Sequence, residues 1–344
     1  MESQNTQCQV DSTQNWLLHF PIMFFASIMG IGGLSLVVSK SMKVFDLSAQ
    51  LHWLFISLVI FSTFLLCVIT LLYGLKIIKY FNAFKKELKH PIRINFFAAT
   101  SVSILIVLML LLPFIPQSLA LSLFYIGAGL QLIFSLYVVR FWFVNEMQQK
   151  MANPAWFIPI VGNLIVPLAG MQFNTQNYII PFEILIFYFG MGSFFWILLN
   201  AALLIRLVFG ENLPQKFLPT LFIFIAPPSV FALDILVLFK DLSHISSLFG
   251  IASASFSIAL FFMLLMISMF GVFRKVKFAL SWWAFTFPTA AFTLCALELY
   301  TISHSSFYVF LGIFGIVLTV IIVCVVSYYT LIAIKNREIC VLEE

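Results

Sequence analysis

Long apolar runs alternate with short polar breaks along the whole chain. A membrane-spanning helix needs ~20 mostly apolar residues. Ten stretches meet that length: 16–38, 51–78, 95–114, 118–144, 155–173, 181–209, 217–239, 246–272, 278–301 and 305–334. The breaks carry lysine clusters, proline or polar residues: Ser39-Lys40-Ser41, Lys85-Lys86-Glu87, Asn153-Pro154, Gly210-Glu211-Asn212, Asp241-Leu242-Ser243 and the basic run from Arg274 to Lys277. None is long enough for a separate soluble domain. The pattern predicts one all-α integral membrane domain over 16–334, an N-terminal tail over 1–15 and a C-terminal tail over 335–344.

Proline divides the ten stretches into two kinds. Odd-numbered ones carry it beside aromatics or in small-residue runs: His19-Phe20-Pro21, Trp156-Phe157-Ile158-Pro159, Ile225-Ala226-Pro227-Pro228 and Phe287-Pro288. Even-numbered ones are longer and mostly free of it, with Pro181 at a helix start. The prolines recur at steps of roughly 60–70 residues or about twice that, and the double step leaves room for the third stretch. That stretch follows Pro91, passes through Thr100 and Ser101, and meets no proline until Pro113. Proline within a helix removes a backbone bond and bends the axis. In lipid, the freed carbonyl must be buried in protein or face a water-lined cavity. The alternation therefore predicts ten transmembrane helices as five parallel helical hairpins around a central pore, odd helices inside and even helices outside.

Charge sets the orientation. Lys76, Lys79, Lys85, Lys86, Lys89, Arg93, Arg140, Lys150, Arg206, Lys216, Arg274, Lys275, Lys277, Lys335 and Arg337 fall on one side, and only Lys40, Lys43 and Lys240 on the other. The positive-inside rule then places both termini in the cytoplasm, beneath an inner or plasma membrane crossed many times. The first fifteen residues hold no Lys or Arg, which argues against a cleaved signal peptide.

Composition excludes several classes. The chain is 62% hydrophobic and 9% charged, against roughly 25% charged in a soluble domain. Its five cysteines, Cys8, Cys67, Cys295, Cys324 and Cys340, are scattered, and its five histidines form no pair at ligand spacing. No metal or other cofactor is expected. No HExxH motif, paired intramembrane aspartates or nucleophile triad points to an enzyme. The net charge of +5 resides in short loops, so no nucleic acid partner is expected.

The sharpest candidate is Phe287. On a helix, residues eleven apart differ by about 20° in azimuth, so Phe287 and Glu298 share a face, with Trp283, Ala291 and Leu294 near it. A ring in a narrow pore blocks ions by bulk and dewetting. From the residues alone, Phe287 is either such a plug or one of 42 packed phenylalanines. Further candidates to line the path are Phe24, Phe25, Phe97, Ser101, Pro159, Asn163, Pro227, Phe231, Pro288 and Ala291. Asp234 and Glu298 are acids within helices, near the outer ends. They either reach water and headgroups or act as mouth charges or protonatable sites. Arg140 and Arg206 either snorkel to headgroups or draw anions to the inner mouth. The path carries small residues and hydroxyls (Gly30, Gly32, Gly33, Gly162, Gly170, Thr100, Ser101, Thr286) rather than a buried cationic cluster. That suits weak, transient binding.

Five spaced blocks carry a resemblance: Phe20-Pro21-Ile22-Met23-Phe24-Phe25, His90-Pro91-Ile92-Arg93-Ile94-Asn95-Phe96, Asn153-Pro154-Ala155-Trp156-Phe157-Ile158-Pro159, Ile225-Ala226-Pro227 and Trp282-Trp283-Ala284-Phe285-Thr286-Phe287-Pro288. With them the whole chain resembles the tellurite-resistance/dicarboxylate transporter family, which includes bacterial TehA and plant slow-type anion channels. The resemblance implies five hairpins, a pore in each subunit, a homotrimer in the lipid bilayer, and a pore-blocking phenylalanine at Phe287. Family members often have a proline in the third helix where this chain has Thr100 or Ser101, so the resemblance leaves open whether the third helix is bent. The expected function is a channel passing small inorganic anions such as chloride and nitrate. The alternative is a proton-coupled carrier of C4-dicarboxylates such as malate, of sulfite or of a tellurite-related anion, with Asp234 or Glu298 as its proton site.

Overall fold

The computed structural model describes residues 16–173, 180–240 and 245–340. The N-terminal tail 1–15 and the end of the C-terminal tail, 341–344, lie outside the described residues. Each apolar stretch forms a helix long enough to cross a membrane: α1 (Ile22–Val44), α2 (Ser48–Lys79), α3 (Arg93–Leu111), α4 (Gln117–Val144), α5 (Pro154–Phe173), α6 (Phe182–Phe209), α7 (Gln215–Leu238), α8 (Ser247–Ser268), α9 (Leu280–Ser303) and α10 (Ser306–Lys335). Among the described residues there is no strand.

The two kinds of helix differ in backbone as well as in proline content. Even helices are continuous α-helix. Each odd helix opens as a 3₁₀ segment and then changes to α: at Phe25 in α1, Ala98 in α3, Phe157 in α5, Ala226 in α7 and Thr286 in α9. Helix α5 reverts to 3₁₀ over Gly162–Leu164 before continuing. Pro227 and Pro288 lie in the first turn of their α segments. There the missing N–H has no intrahelical partner to lose. They mark where the α portion starts more than they break it. Helix α3, without an internal proline, makes the same change over Arg93–Phe97.

Burial follows the same division. In an 18-residue apolar stretch of each odd helix 67–83% of residues are buried, against 17–33% in the even helices. Successive odd helices touch one another, and α9 returns to α1, while each even helix packs on the odd helix before it. The even helices turn large apolar side chains outward, including Phe64, Ile133, Phe194, Phe261 and Phe310. In water such a surface would be a liability; against lipid tails it is the favourable solvent.

Two polar breaks behave differently from the sequence expectation. Ser39-Lys40-Ser41 does not end α1, which continues to Val44; Lys40 instead pairs with Glu298 of α9. Lys85-Lys86-Glu87 lies in a short helix, Phe81–Leu88, between α2 and α3. That helix exposes Lys85 and Lys86 and buries Glu87.

Helices α1 and α9 pack tightly at Gly30. A methyl group added at Gly30 would overlap Thr286 Oγ1 and sit 2.8 Å from Thr286 Cβ. Only a residue without Cβ leaves room here for the Thr286 side chain. Gly30→Ala should therefore cost about 1–3 kcal/mol through overpacking, read as a lower thermal midpoint of the purified protein. Gly74→Ala is the control: nothing lies within 4 Å of its added methyl, and its midpoint should not fall.

Candidate functional site

The five odd helices enclose an apolar cavity of ≈ 60 Å³. Helix α1 supplies Ala26 and Met29, α3 Phe96 and Val102, α5 Val161 and Ile165, α7 Pro227 and Val230, and α9 Trp283, Phe287 and Pro288, among others. No even helix contributes to this lining. The polar side chain in the wall is Ser281, whose hydroxyl donates to the Lys216 carbonyl. The 3₁₀-to-α change in α9 places Phe287 one residue into its α segment. There its ring lies beside α1: a methyl at Gly33 would meet Phe287 Cδ2 at 3.5 Å.

Of the residues singled out in the sequence, Gly162, Pro227, Trp283, Phe287 and Pro288 line this cavity. The others lie elsewhere. Phe24 stacks on Phe20 with centroids 4.8 Å apart. Phe25 and Phe97 both meet the ring of Tyr73 on α2. Phe231 stacks on Phe189 of α6 at 5.3 Å. Ala291 is buried beyond Phe287 along α9. Phe25, Phe97 and Phe231 occupy the sides of their helices that face the even helices.

Ser101, Pro159 and Asn163 belong to one buried polar network held by α4. Ser101 Oγ donates to Gln131 Oε1 at 2.6 Å. Gln131 Nε2 and Ser135 Oγ both donate to the Pro159 carbonyl, at 2.8 and 2.7 Å. Asn163 Nδ2 donates to Ser135 Oγ at 2.8 Å. Helix α4 thus supplies two side-chain donors to this carbonyl, close to the return to 3₁₀ at Gly162–Leu164. A buried carbonyl without a donor costs free energy. Gln131, an amide amid apolar neighbours in 118–144, was the available sequence signal for this brace.

The two candidate acids differ. Glu298 is part-exposed and its charge is answered by Lys40. That ion pair ties the C-terminal part of α9 to that of α1. Asp234 is fully buried. Neither of its carboxylate oxygens has a hydrogen-bond partner among the described residues. Arg206 is buried, its guanidinium donating to the carbonyls of Glu211 and Lys150.

A different polar constellation, missed in the sequence, fixes the start of α1. Glu87 accepts from the Ile22 backbone N–H at 3.1 Å, Tyr73 Oη at 2.8 Å and Lys76 Nζ at 2.7 Å. Lys76 Nζ also donates to the Phe20 carbonyl at 2.6 Å. Thus the polar atoms on both sides of Pro21 are satisfied by side chains from α2 and the short helix after it. This network borders a second cavity of ≈ 780 Å³, whose wall includes Lys76, Lys86, Glu87, Arg93, Lys216 and, from the segment after α10, Glu338 and Cys340. Leu280 lines both cavities. Burial pushes the Cys340 thiol up to about 11, although nearby Lys76 pulls it down, so the thiol is neutral at pH 7.

The pattern described as voltage-dependent anion channel (SLAC1) matches residues 19–332. The chain belongs to the voltage-dependent anion channel family. The match runs through all five blocks that carried the resemblance. The S-type anion channel SLAH2 of Arabidopsis thaliana is 30% identical over 290 residues, covering 82% of this chain and 53% of that one. An uncharacterized transporter of Methanocaldococcus jannaschii is 28% identical over 296 residues, covering 81% and 84%. The malic acid transport protein of Schizosaccharomyces pombe is 26% identical over 341 residues, covering 88% and 76%. The chain spans about half the length of the plant channels it matches. The family comprises anion channels and transporters, and this member is a multi-pass membrane protein.

Proposed function

We propose that the protein is a passive anion channel that passes chloride and nitrate along the axis of the five odd helices, with Phe287 as its gate. The observation that carries this reading is the apolar cavity lined by all five odd helices and by no even one, with Phe287 in its wall. The contacts among the odd helices fit five hairpins about a central path. The path is constricted and apolar around Phe287, and such a constriction excludes ions by dewetting until the ring moves. Both termini face the cytoplasm, residues 16–334 form the channel domain, and three copies assemble. Chloride and nitrate are transported, not bound as resident ligands. The decisive experiment is reconstitution in planar bilayers. Anion current driven by voltage alone, without a proton gradient, supports the channel; uptake only under a proton gradient overturns it.

Asp234 favours a second reading, a proton-coupled carrier for a dicarboxylate. A carboxyl group that has neither donor nor ion-pair partner among the described residues can take up and release a proton without breaking such a pair, and intramembrane acids of this kind mark proton relays. Asp234→Asn keeps the shape and removes the acid. Under the channel reading, chloride current persists in this variant. Under the carrier reading, pH-driven malate uptake disappears while the protein remains folded.

A further inference from the structure

Helices α1 and α9 close the circuit of contacts among the odd helices. They run side by side in the same direction, because three pairings rise together along both: Gly30 with Thr286, Gly33 with Ala290, and Lys40 with Glu298. Phe287 lies within this seam. Helix α1 sets Gly33 beside its ring, where an added methyl would meet Phe287 Cδ2 at 3.5 Å and Ala290 Cβ at 3.0 Å. With no side chain at Gly33 to fill the gap, the room left to the ring depends on how closely the two helices approach.

That approach is held at two levels. Near the ring the contact is steric, with Thr286 occupying the space over Gly30. Farther along it is electrostatic. Glu298 stands eleven residues beyond Phe287, and Lys40 seven beyond Gly33. These are about three turns and about two turns of helix, so the charged pair lies on the same strip of each helix as the ring and the glycine. Neither Lys40 nor Glu298 lines the apolar cavity. Their side chains are 21% and 28% exposed. A pair open to solvent to this degree contributes modestly. Such a contribution cannot hold the fold together, but it can bias two helix spacings that lie close in free energy. We propose that Lys40 and Glu298 are positioning residues for the Phe287 gate. Their ion pair holds the α1–α9 seam at the spacing that keeps the ring in the path, and its release favours the conducting state. The inference rests on the reading of Phe287 as the gate and extends it to a pair about 16 Å farther along α9.

Single-channel recording of the reconstituted full-length protein tests this, with chloride as the permeant anion and thermal midpoints to check folding. Glu298→Gln should raise the open fraction about two- to fivefold, the range within reach of a part-exposed ion pair, and leave single-channel conductance unchanged. The charge-reversed variant Lys40→Glu/Glu298→Lys should bring the open fraction back toward wild type, because the pair is restored with its ends exchanged. In a Phe287→Ala background, Glu298→Gln should add nothing, since no ring is left to position. A pair that only braces the fold would show no such dependence on the ring. An open fraction unchanged by Glu298→Gln, no rescue by charge reversal, or the same rise in the absence of the ring overturns the proposal. The two readings fail differently. Wild-type current in Phe287→Ala removes the gate and this proposal with it. A raised current in Phe287→Ala beside an unchanged open fraction in Glu298→Gln keeps the gate and removes the tie alone.

Discussion

Replacing Phe287 by alanine should raise chloride and nitrate current by at least about tenfold, the change that follows from lowering the barrier by about 1.4 kcal/mol. The ring stands in the wall of an apolar cavity of only ≈ 60 Å³. An ion entering there sheds its water and receives no charged partner in return. Truncating the ring widens the passage and lets water in, so the desolvation cost falls. Neighbouring groups hold the site while the ring is removed: Pro288 and Thr286 are buried on either side, and Thr286 Oγ1 donates to the Trp283 carbonyl at 2.7 Å. Single-channel or macroscopic recording of the reconstituted variant checks it. A well-folded variant with wild-type current removes Phe287 as the gate and leaves the conduction question to the wild-type measurement.

The largest effect on stability is expected at Glu87. Glu87→Ala should destabilise the protein by about 3–5 kcal/mol, the cost of leaving one partner of a buried ion pair alone. Lys76 and Glu87 lie 2.7 Å apart, with side chains 4% and 2% exposed, so solvent screens them little. The same substitution also strips acceptors from Tyr73 Oη and the Ile22 N–H. The double variant Lys76→Met/Glu87→Ala should be less damaged than Glu87→Ala alone, because no unpaired charge remains. Thermal unfolding of the purified protein compares the three. If Glu87→Ala matches wild type, this network does not hold the start of α1.

Much of the helical plan was legible from periodicity and length. Lipid cannot hydrogen-bond a backbone, so apolar runs of spanning length have few alternatives to a helix. Proline sorting also had a physical meaning, since the proline-bearing helices are the buried ones. Yet proline proved an incomplete marker of the backbone change: α3 opens in 3₁₀ without an internal proline. The lining of the cavity was less legible. Pro227, Phe287 and Pro288 line it, but Phe25, Phe97 and Phe231 pack outward on Tyr73 and Phe189. A one-dimensional pattern says that a helix is buried all round; it does not say which buried side faces the axis and which faces the next layer.

By itself, the sequence determined the ten spanning helices, the two classes among them and the family, because these depend on local composition, spacing and motif. Only the tertiary structure decided the partners of the polar residues. Lys40 and Glu298 are 258 residues apart and form a pair. Glu87 reaches back to Ile22 across 65 residues. Gln131 braces the Pro159 carbonyl 28 residues away, and Asp234 is left buried without a donor among the described residues. Such pairings follow from which faces meet after the helices pack. A charge in a loop and a charge in a buried ion pair look the same in a sequence until the fold brings, or fails to bring, its counterpart within reach.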